Sequence, residues 1–180
     1  MAEAAVEGVE DGKNSRLKMK IKVKTKMKRV TLCLLMKEGK ILLAMKKRGF
    51  GMGRWNGVGG KVNEDENIET AAAREVREEI GIKVKPENLV PSGKLKFYFR
   101  NKPEWDQEMH IFLAKDWVGE SRESEEMKPQ WFDIDKMPYE SMWPDDKYWL
   151  PLFVKGKNVA GEFHFSDDGN NFENYKINEI

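Results

Sequence analysis

The sequence predicts an α/β fold in which a mixed β-sheet carries helices packed on it. Three observations lead there. Short apolar runs recur along the chain with two helical patterns between them. One of those patterns, over 68–80, carries helix punctuation at both ends. A chain of 180 residues with 39% hydrophobic content also suits a single domain with a real core.

Each element has a local reason. Residues 1–16 are small and acidic, then polar, and read as a flexible tail. Over 17–27 the pattern alternates strictly: Lys18, Lys20, Lys22, Lys24 and Lys26 interleave with Leu17, Met19, Ile21, Val23, Thr25 and Met27. Period two is that of a strand, here one with a lysine face, and a lysine-protected edge strand satisfies it. No aromatic interleaves with the lysines, so a nucleic-acid-binding arm is the weaker alternative. Residues 30–36 and 40–45 are strands joined by Lys37-Glu38-Gly39 as a hairpin. The glycine-punctuated stretch 47–61 reads as a loop that turns tightly and approaches a ligand closely. It is not a Walker A loop, because Val62 follows Gly60-Lys61 and position 55 is Trp55.

The helix over 68–80 starts after Asn67 as N-cap, contains Ala71, Ala72 and Ala73, and stops at Gly81. Its apolar stripe is Ala72, Ala73, Val76 and Ile80. Beyond Pro86, strands are expected over 94–100, 109–114, 130–134 and 161–165. A second helix is expected over 143–154, interrupted or begun near Pro151.

Composition removes several functional classes. Charged residues make up 35% of the chain, mean hydropathy is −0.72, and no apolar run reaches the length of a membrane-spanning helix. A net charge of +1 gives no bulk argument for nucleic acid as a partner. Cys33 is the sole cysteine, which excludes an intrachain disulfide and a multi-cysteine metal site. It lies in an apolar run and reads as a small buried hydrophobe. Near the N-terminus, Glu3, Glu7, Glu10 and Asp11 without a basic residue speak against a secretory or transit leader. A cytoplasmic monomer with no membrane partner is the expectation.

Glu75, Glu78 and Glu79 stand at i, i+3 and i+4 of the first helix, so their carboxylates share a face. Left unpaired, such neighbours repel by roughly a few tenths of a kcal/mol per pair. A divalent cation turns that cost into a binding site. A solvated acidic face is the ordinary alternative.

The longer pattern decides between them. Gly60, Glu66 and Arg74-Glu75-Val76-Arg77-Glu78-Glu79-Ile80-Gly81-Ile82 fall at the spacing of the Nudix box, and the chain resembles the Nudix hydrolase family at every defined position of it. The resemblance implies the Nudix α/β/α sandwich over 28–180, with a mixed sheet between helices. It also implies an enzyme that cleaves a nucleoside diphosphate linked to another moiety, using Mg²⁺ (or Mn²⁺ as a substitute) and a water nucleophile. Hard carboxylate oxygens suit such an ion. On this resemblance Glu75, Glu78 and Glu79 are the catalytic, metal-holding residues, joined by the Gly59 carbonyl and by Glu126 from a distant loop. Either Glu79 or Glu75 accepts the proton of the water. Arg74 and Glu66 support the site by charge pairing, and Val76 and Ile82 are packing residues.

The resemblance extends further. Met45-Lys46-Lys47-Arg48-Gly49-Phe50-Gly51, Gly53-Arg54-Trp55-Asn56-Gly57 and Met142-Trp143-Pro144-Asp145-Asp146 are similar to the animal MutT-homologue branch, whose members hydrolyse oxidised purine nucleoside triphosphates. This implies a purine nucleoside triphosphate as partner. Asn56 would hydrogen-bond the base, Thr31 and Lys46 would line the nucleotide site, and Phe50, Phe97 and Phe99 would shape its walls. Val58, Gly59, Gly60, Lys61 and Pro144 complete the substrate-binding set.

Trp143 offers a purine a stacking face. Asp145 and Asp146, if buried together, raise one another's proton affinity, so that one donates while the other accepts. Such a pair would let 8-oxoguanine and 2-hydroxyadenine share a pocket, as the resemblance implies. A plain helix N-terminal Asp pair is the alternative. Gln107 stands where that branch has a pocket methionine, Val58 replaces an aromatic, and one insertion falls between Phe99 and His110. These departures bear on which purine is preferred. His110 and His164 read as structural. A Nudix hydrolase of methylated or unmodified triphosphates, or a non-catalytic nucleotide-binding module, are the competing functions.

Overall fold

The computed structural model describes residues 5–7, 20–22, 27–167 and 169–180. The expected tail over 1–16 and lysine-rich strand over 17–27 therefore lie outside the described residues, except for Met27 and two short strands. These are β1 (Ala5–Glu7) and β2 (Lys20–Lys22), which pair antiparallel.

The domain proper begins with β3 (Lys28–Lys37) and β4 (Lys40–Lys46). Glu38 and Gly39 join them with φ of 52° and 74°. Positive φ at both turn positions is the geometry that matches strand twist in a two-residue hairpin. The core of β3 is apolar at consecutive positions because both its faces are buried: Leu32 and Leu34 enter one core, Cys33 and Leu35 the other.

The hairpin is closed only near its turn, where Leu35, Met36 and Lys37 pair with Leu42, Ile41 and Lys40. Further along the strands part, and residues 55–61 fill the gap. There β5 (Trp55–Asn56) pairs with Met45 and Ala44 of β4, while Val58 and Lys61 bridge to Cys33 and Val30 of β3. The sequence predicts a loop throughout 47–61. Its second half is extended instead, because the parted strands leave backbone donors and acceptors that an extended segment satisfies.

Next comes α1 (Ile68–Ile80), with the bounds its punctuation predicts. Asn67 Oδ1 accepts the N–H of Glu69 at 2.9 Å and of Thr70 at 3.4 Å, and Gly81 closes the helix in the left-handed region at φ 77°. The remaining elements are β6 (Leu89–Phe99), β7 (Gln107–Ala114), β8 (Met127–Asp133), α2 (Asp146–Phe153), β9 (Val159–Phe165) and β10 (Phe172–Glu179).

The sheet order is β10-β9-β6-β7-β3-β4-β5, with β8 also paired to β4. The pairs β3–β7 and β6–β9 are parallel and the others antiparallel, so the sheet is mixed. Ala72, Val76 and Ile80 of α1 pack with Cys33, Leu42 and Phe112 on one face. Trp149, Leu150 and Phe153 of α2 pack with Leu34, Leu95 and Phe163 on the other. The result is the expected α/β/α sandwich.

Three details depart from expectation. The strand β10 is unforeseen, because its charged, asparagine-containing sequence carries no apolar period. Helix α2 starts at Asp146, residues 143–145 forming the turn into it, and it runs through Pro151 without a break. Strand β6 begins at Leu89, ahead of the expected start, despite Pro91 and a register shift between Pro91 and Gly93. Among the described residues no helix is long and apolar enough to cross a membrane.

Candidate active site

The acidic face of α1 is organised by one arginine. Arg74 donates from Nε and Nη2 to the two oxygens of Glu66, both at 2.8 Å, and from Nη2 to the Lys61 carbonyl at 3.0 Å. Its Nη1 donates to Glu75 at 2.7 Å and to Glu78 at 3.1 Å. Every N–H of the guanidinium is thereby used, which fixes its plane and the carboxylates around it. The Arg74 hydrogen bonds hold the Glu66 carboxyl well down, at about 2. The support role expected for this pair matches that geometry.

Glu79 differs from its neighbours. It forms no ion pair among the described residues and accepts one hydrogen bond, from the Gly59 N–H at 3.2 Å. Burial, with the charge of Glu75 as the next cause, pushes its pKa up to about 7. Glu126 reaches the same cleft from the loop before β8, together with Ser124 and Glu125. Arg48 pairs with it at 2.6 Å. Among the described residues no three acidic side chains converge at the spacing of one ion's ligands. Arg74 takes Glu75 and Glu78, Gly59 takes Glu79, and Arg48 takes Glu126. The set nonetheless fits a hard divalent ion: all-oxygen, anionic, and containing in Glu79 a half-buried carboxylate with no ion pair among the described residues.

Two glycines explain how the wedge of residues 55–61, set between β3 and β4, meets α1. Val58 and Gly60 direct backbone groups at β3: the Cys33 N–H donates to the Val58 carbonyl at 2.7 Å and the Thr31 N–H to the Gly60 carbonyl at 2.8 Å. Gly59, between them, therefore turns its N–H and its carbonyl the other way, toward α1. A Cβ on Gly59 would collide with the β3 backbone at Thr31. A Cβ on Gly60 would lie 2.5 Å from the Glu75 carboxyl carbon. Gly60→Ala is therefore expected to fold, because the displaced atoms end a flexible side chain, yet to lose at least about tenfold in kcat by moving a carboxylate out of place. A melting temperature within a few degrees of wild type alongside that loss would bear this out; an unchanged kcat would refute it.

On the opposite side of the sheet lies a small aromatic pocket of about 60 Å³. The expected residues Phe50, Asn56, Phe97, Phe99, Trp143, Asp145 and Asp146 all line it. Asp145 and Asp146 are buried at the start of α2. The Trp149 Nε1–H donates to Asp145 at 3.2 Å, and the Trp143 N–H to Asp146 at 3.1 Å. Burial pushes Asp145 up to about 6, and burial with the charge of Asp145 raises Asp146 well above the ordinary range. They are a helix N-terminal pair and a pocket pair at once. One face of Trp143 is taken by the Arg54 guanidinium, 4.5 Å from the ring centroid, and Phe50 tilts against the ring at 5.1 Å.

Other expected residues sit elsewhere. Val58 is wholly buried in the core beneath α1, so its side chain cannot meet a substrate; its contribution is backbone pairing to β3. Thr31 is buried and braces Gly60, with Oγ1 3.4 Å from both its N and its O. Lys61 is exposed and offers its carbonyl to Arg74. Lys46, at the end of β4, is near enough to Glu79 to oppose the rise in its pKa. Pro144 is half-buried outside the residues lining the pocket.

The structure adds Met109 and Phe165 to the lining, while Trp105 packs behind it on Phe50 at 5.3 Å and Phe99 at 5.7 Å. Arg54 is a further unanticipated member, donating to the Met142 carbonyl at 2.8 Å. Strand alternation from Phe97 and Phe99 across to β7 and β9 is the signal for Met109 and Phe165; Trp105 and Arg54 carry none.

An acidic helix face served by a glycine wedge, on a split mixed sheet, defines a nucleotide-hydrolase architecture, and the chain belongs to the Nudix family, residues 25–153 matching its NUDIX domain. It is 46% identical over 150 residues to an oxidized purine nucleoside triphosphate hydrolase of Mus musculus, covering 83% of this chain and 94% of that one. Its identity to the protein of the same name from Danio rerio is 50% over 138 residues, covering 77% and 86%. The crystal structure of a mutator MutT protein from Bacillus halodurans matches with a TM-score of 0.72 at 28% identity, covering 84% of this chain and 97% of that one. Nudix hydrolases generally employ divalent metal cations.

Proposed function

We propose that this Nudix hydrolase converts oxidised purine nucleoside triphosphates, of the 8-oxo-dGTP and 2-hydroxy-dATP type, to monophosphate and pyrophosphate, and so cleanses the nucleotide pool. The observation that carries this reading is that one segment, 55–61, serves both sites: Asn56 lines the pocket of the buried Asp pair, and Gly59 and Gly60 abut the glutamates. The names of the mouse and zebrafish relatives support the same substrate class.

Mg²⁺, held by Glu75, Glu78, Glu79, the Gly59 carbonyl and Glu126, would neutralise phosphate charge and acidify water; Mn²⁺ would substitute. The protein's own contribution starts at the base. Asp146, protonated, donates, while Asp145 accepts, and the Asn56 amide nitrogen adds a donor because its Oδ1 is committed to the Gly57 N–H at 2.8 Å. Phe50 and Trp143, packed on each other, would form one aromatic wall beside the base. At the other end Glu79 combines burial with a pKa near neutrality, which suits it to take a proton from attacking water.

A kinetic panel of oxidised, methylated and unmodified purine triphosphates with Mg²⁺ tests the reading. The expected result is kcat/KM for 8-oxo-dGTP or 2-hydroxy-dATP at least about tenfold above dGTP and dATP, on the scale of one good hydrogen-bonded contact. Preference for a methylated or unmodified triphosphate would replace it.

A further inference from the structure

One polar side chain in the base pocket has no hydrogen-bond partner among the described residues. Gln107 opens β7, with its Cα paired to Phe97 of β6 on one side and Lys28 of β3 on the other. Strand alternation puts it on the face of Met109 and Ile111, and it lines the pocket among Phe97, Phe99 and Met109. Among the described residues its amide makes no hydrogen bond. The other polar groups there are already engaged: Asn56 by the Gly57 N–H, Asp145 by Trp149, Asp146 by the Trp143 N–H. A half-buried amide on an apolar wall loses its water when a base enters, so a base that restores both hydrogen bonds is favoured over one that restores a single bond.

We propose that Gln107 is a specificity-determining residue whose carboxamide reads the oxidised imidazole edge of an 8-oxopurine. That edge is a lactam, with N7–H as donor and the C8 carbonyl as acceptor. Gln107 Oε1 accepts from N7–H while Nε2 donates to O8, two parallel bonds of the kind two amides form. Guanine without the lesion presents N7 as a bare acceptor and C8–H, so it satisfies only the Nε2 donor. Adenine oxidised at C2 has the same unmodified edge. Asn56 and the aspartates enter from β5 and α2, so Gln107 meets the base from a different wall. It thus discriminates between two lesions that the aspartates accommodate alike.

This assignment rests on the substrate reading above, and the test separates the two. In Gln107→Met, which keeps side-chain length and fills the wall, kcat/KM is measured for 8-oxo-dGTP, 2-hydroxy-dATP and dGTP with Mg²⁺. The expected result is a loss of about 10- to 100-fold for 8-oxo-dGTP, the scale of a lost bidentate contact, with 2-hydroxy-dATP and dGTP changed by no more than a few-fold. Retained 2-hydroxy-dATP turnover also certifies the fold. A Gln107→Met enzyme that loses nothing, or loses equally on all three substrates, overturns this assignment alone. A wild-type enzyme inactive on both oxidised triphosphates overturns the substrate reading and this assignment with it.

Discussion

Glu79→Gln is expected to abolish turnover while making the metal-free protein more stable above neutral pH. Burial and the Glu75 charge raise the Glu79 pKa to about 7, whereas in an unfolded chain a Glu titrates near about 4.3. Between those values the folded state binds the proton and the unfolded state has released it, so stability falls as pH rises. The contribution of the neutral acid is complete below about pH 4.3 and is lost as pH rises through about 7.

Glutamine is neutral at every pH and keeps an oxygen for the Gly59 N–H. Relieving the buried charge is worth on the order of 2 kcal/mol at pH 8, or roughly 5 °C in melting temperature for a chain of this size. Below about pH 4 the two proteins should melt together. Turnover should fall by at least about 10²-fold, the scale of a lost catalytic acid–base group. Pyrophosphate release with Mg²⁺ and melting in chelator across pH 4 to 9 measure both effects. Wild-type hydrolysis by the variant, or a melting difference that ignores pH, would remove Glu79 from the centre of the site.

Asp145→Asn is the second large effect. Asparagine still accepts from the Trp149 indole N–H, so the α2 turn should persist. It cannot carry the charge that, added to burial, raises the proton affinity of the neighbouring Asp146. The variant is expected to lose about 10- to 100-fold in kcat/KM for 8-oxo-dGTP, the range for hydrogen bonds to charged groups, and less for dGTP. Stability reports the same pair. Both carboxyls are raised by burial, so the neutral pair stabilises fully below about pH 4 and progressively less as pH rises through about 6. The variant should flatten that slope. Equal losses on the two nucleotides would show that Asp145 takes no part in discrimination.

The contrast between α1 and the wedge shows what a single chain discloses. The helix was readable to its last residue because its caps, stripe and acidic face are all local, within one stretch from Asn67 to Gly81. The carboxylates at i, i+3 and i+4 were readable for the same reason. Residues 55–61 were not, since their extended form is dictated by β3 and β4 parting, and glycines carry no side-chain period. The pocket falls between these cases. Its Asp pair and tryptophan are contiguous in sequence, but Met109 and Phe165 arrive through the β6–β7 and β6–β9 pairings. Val58 shows the reverse error: a position inside a ligand-approaching loop whose side chain points into the core.

A last consequence belongs to the wedge. From Asn56 to Gly60 the chain takes four nearly extended steps, about 13 Å, clamped on both flanks by strands. On the proposed substrate reading, the distance from nucleobase to carboxylates would be set by a ruler of backbone rather than by a hinge. Which phosphorus would be presented to the glutamates, and hence which anhydride broken, would then be a matter of substrate length. A shorter or longer nucleotide would be measured and found out of register.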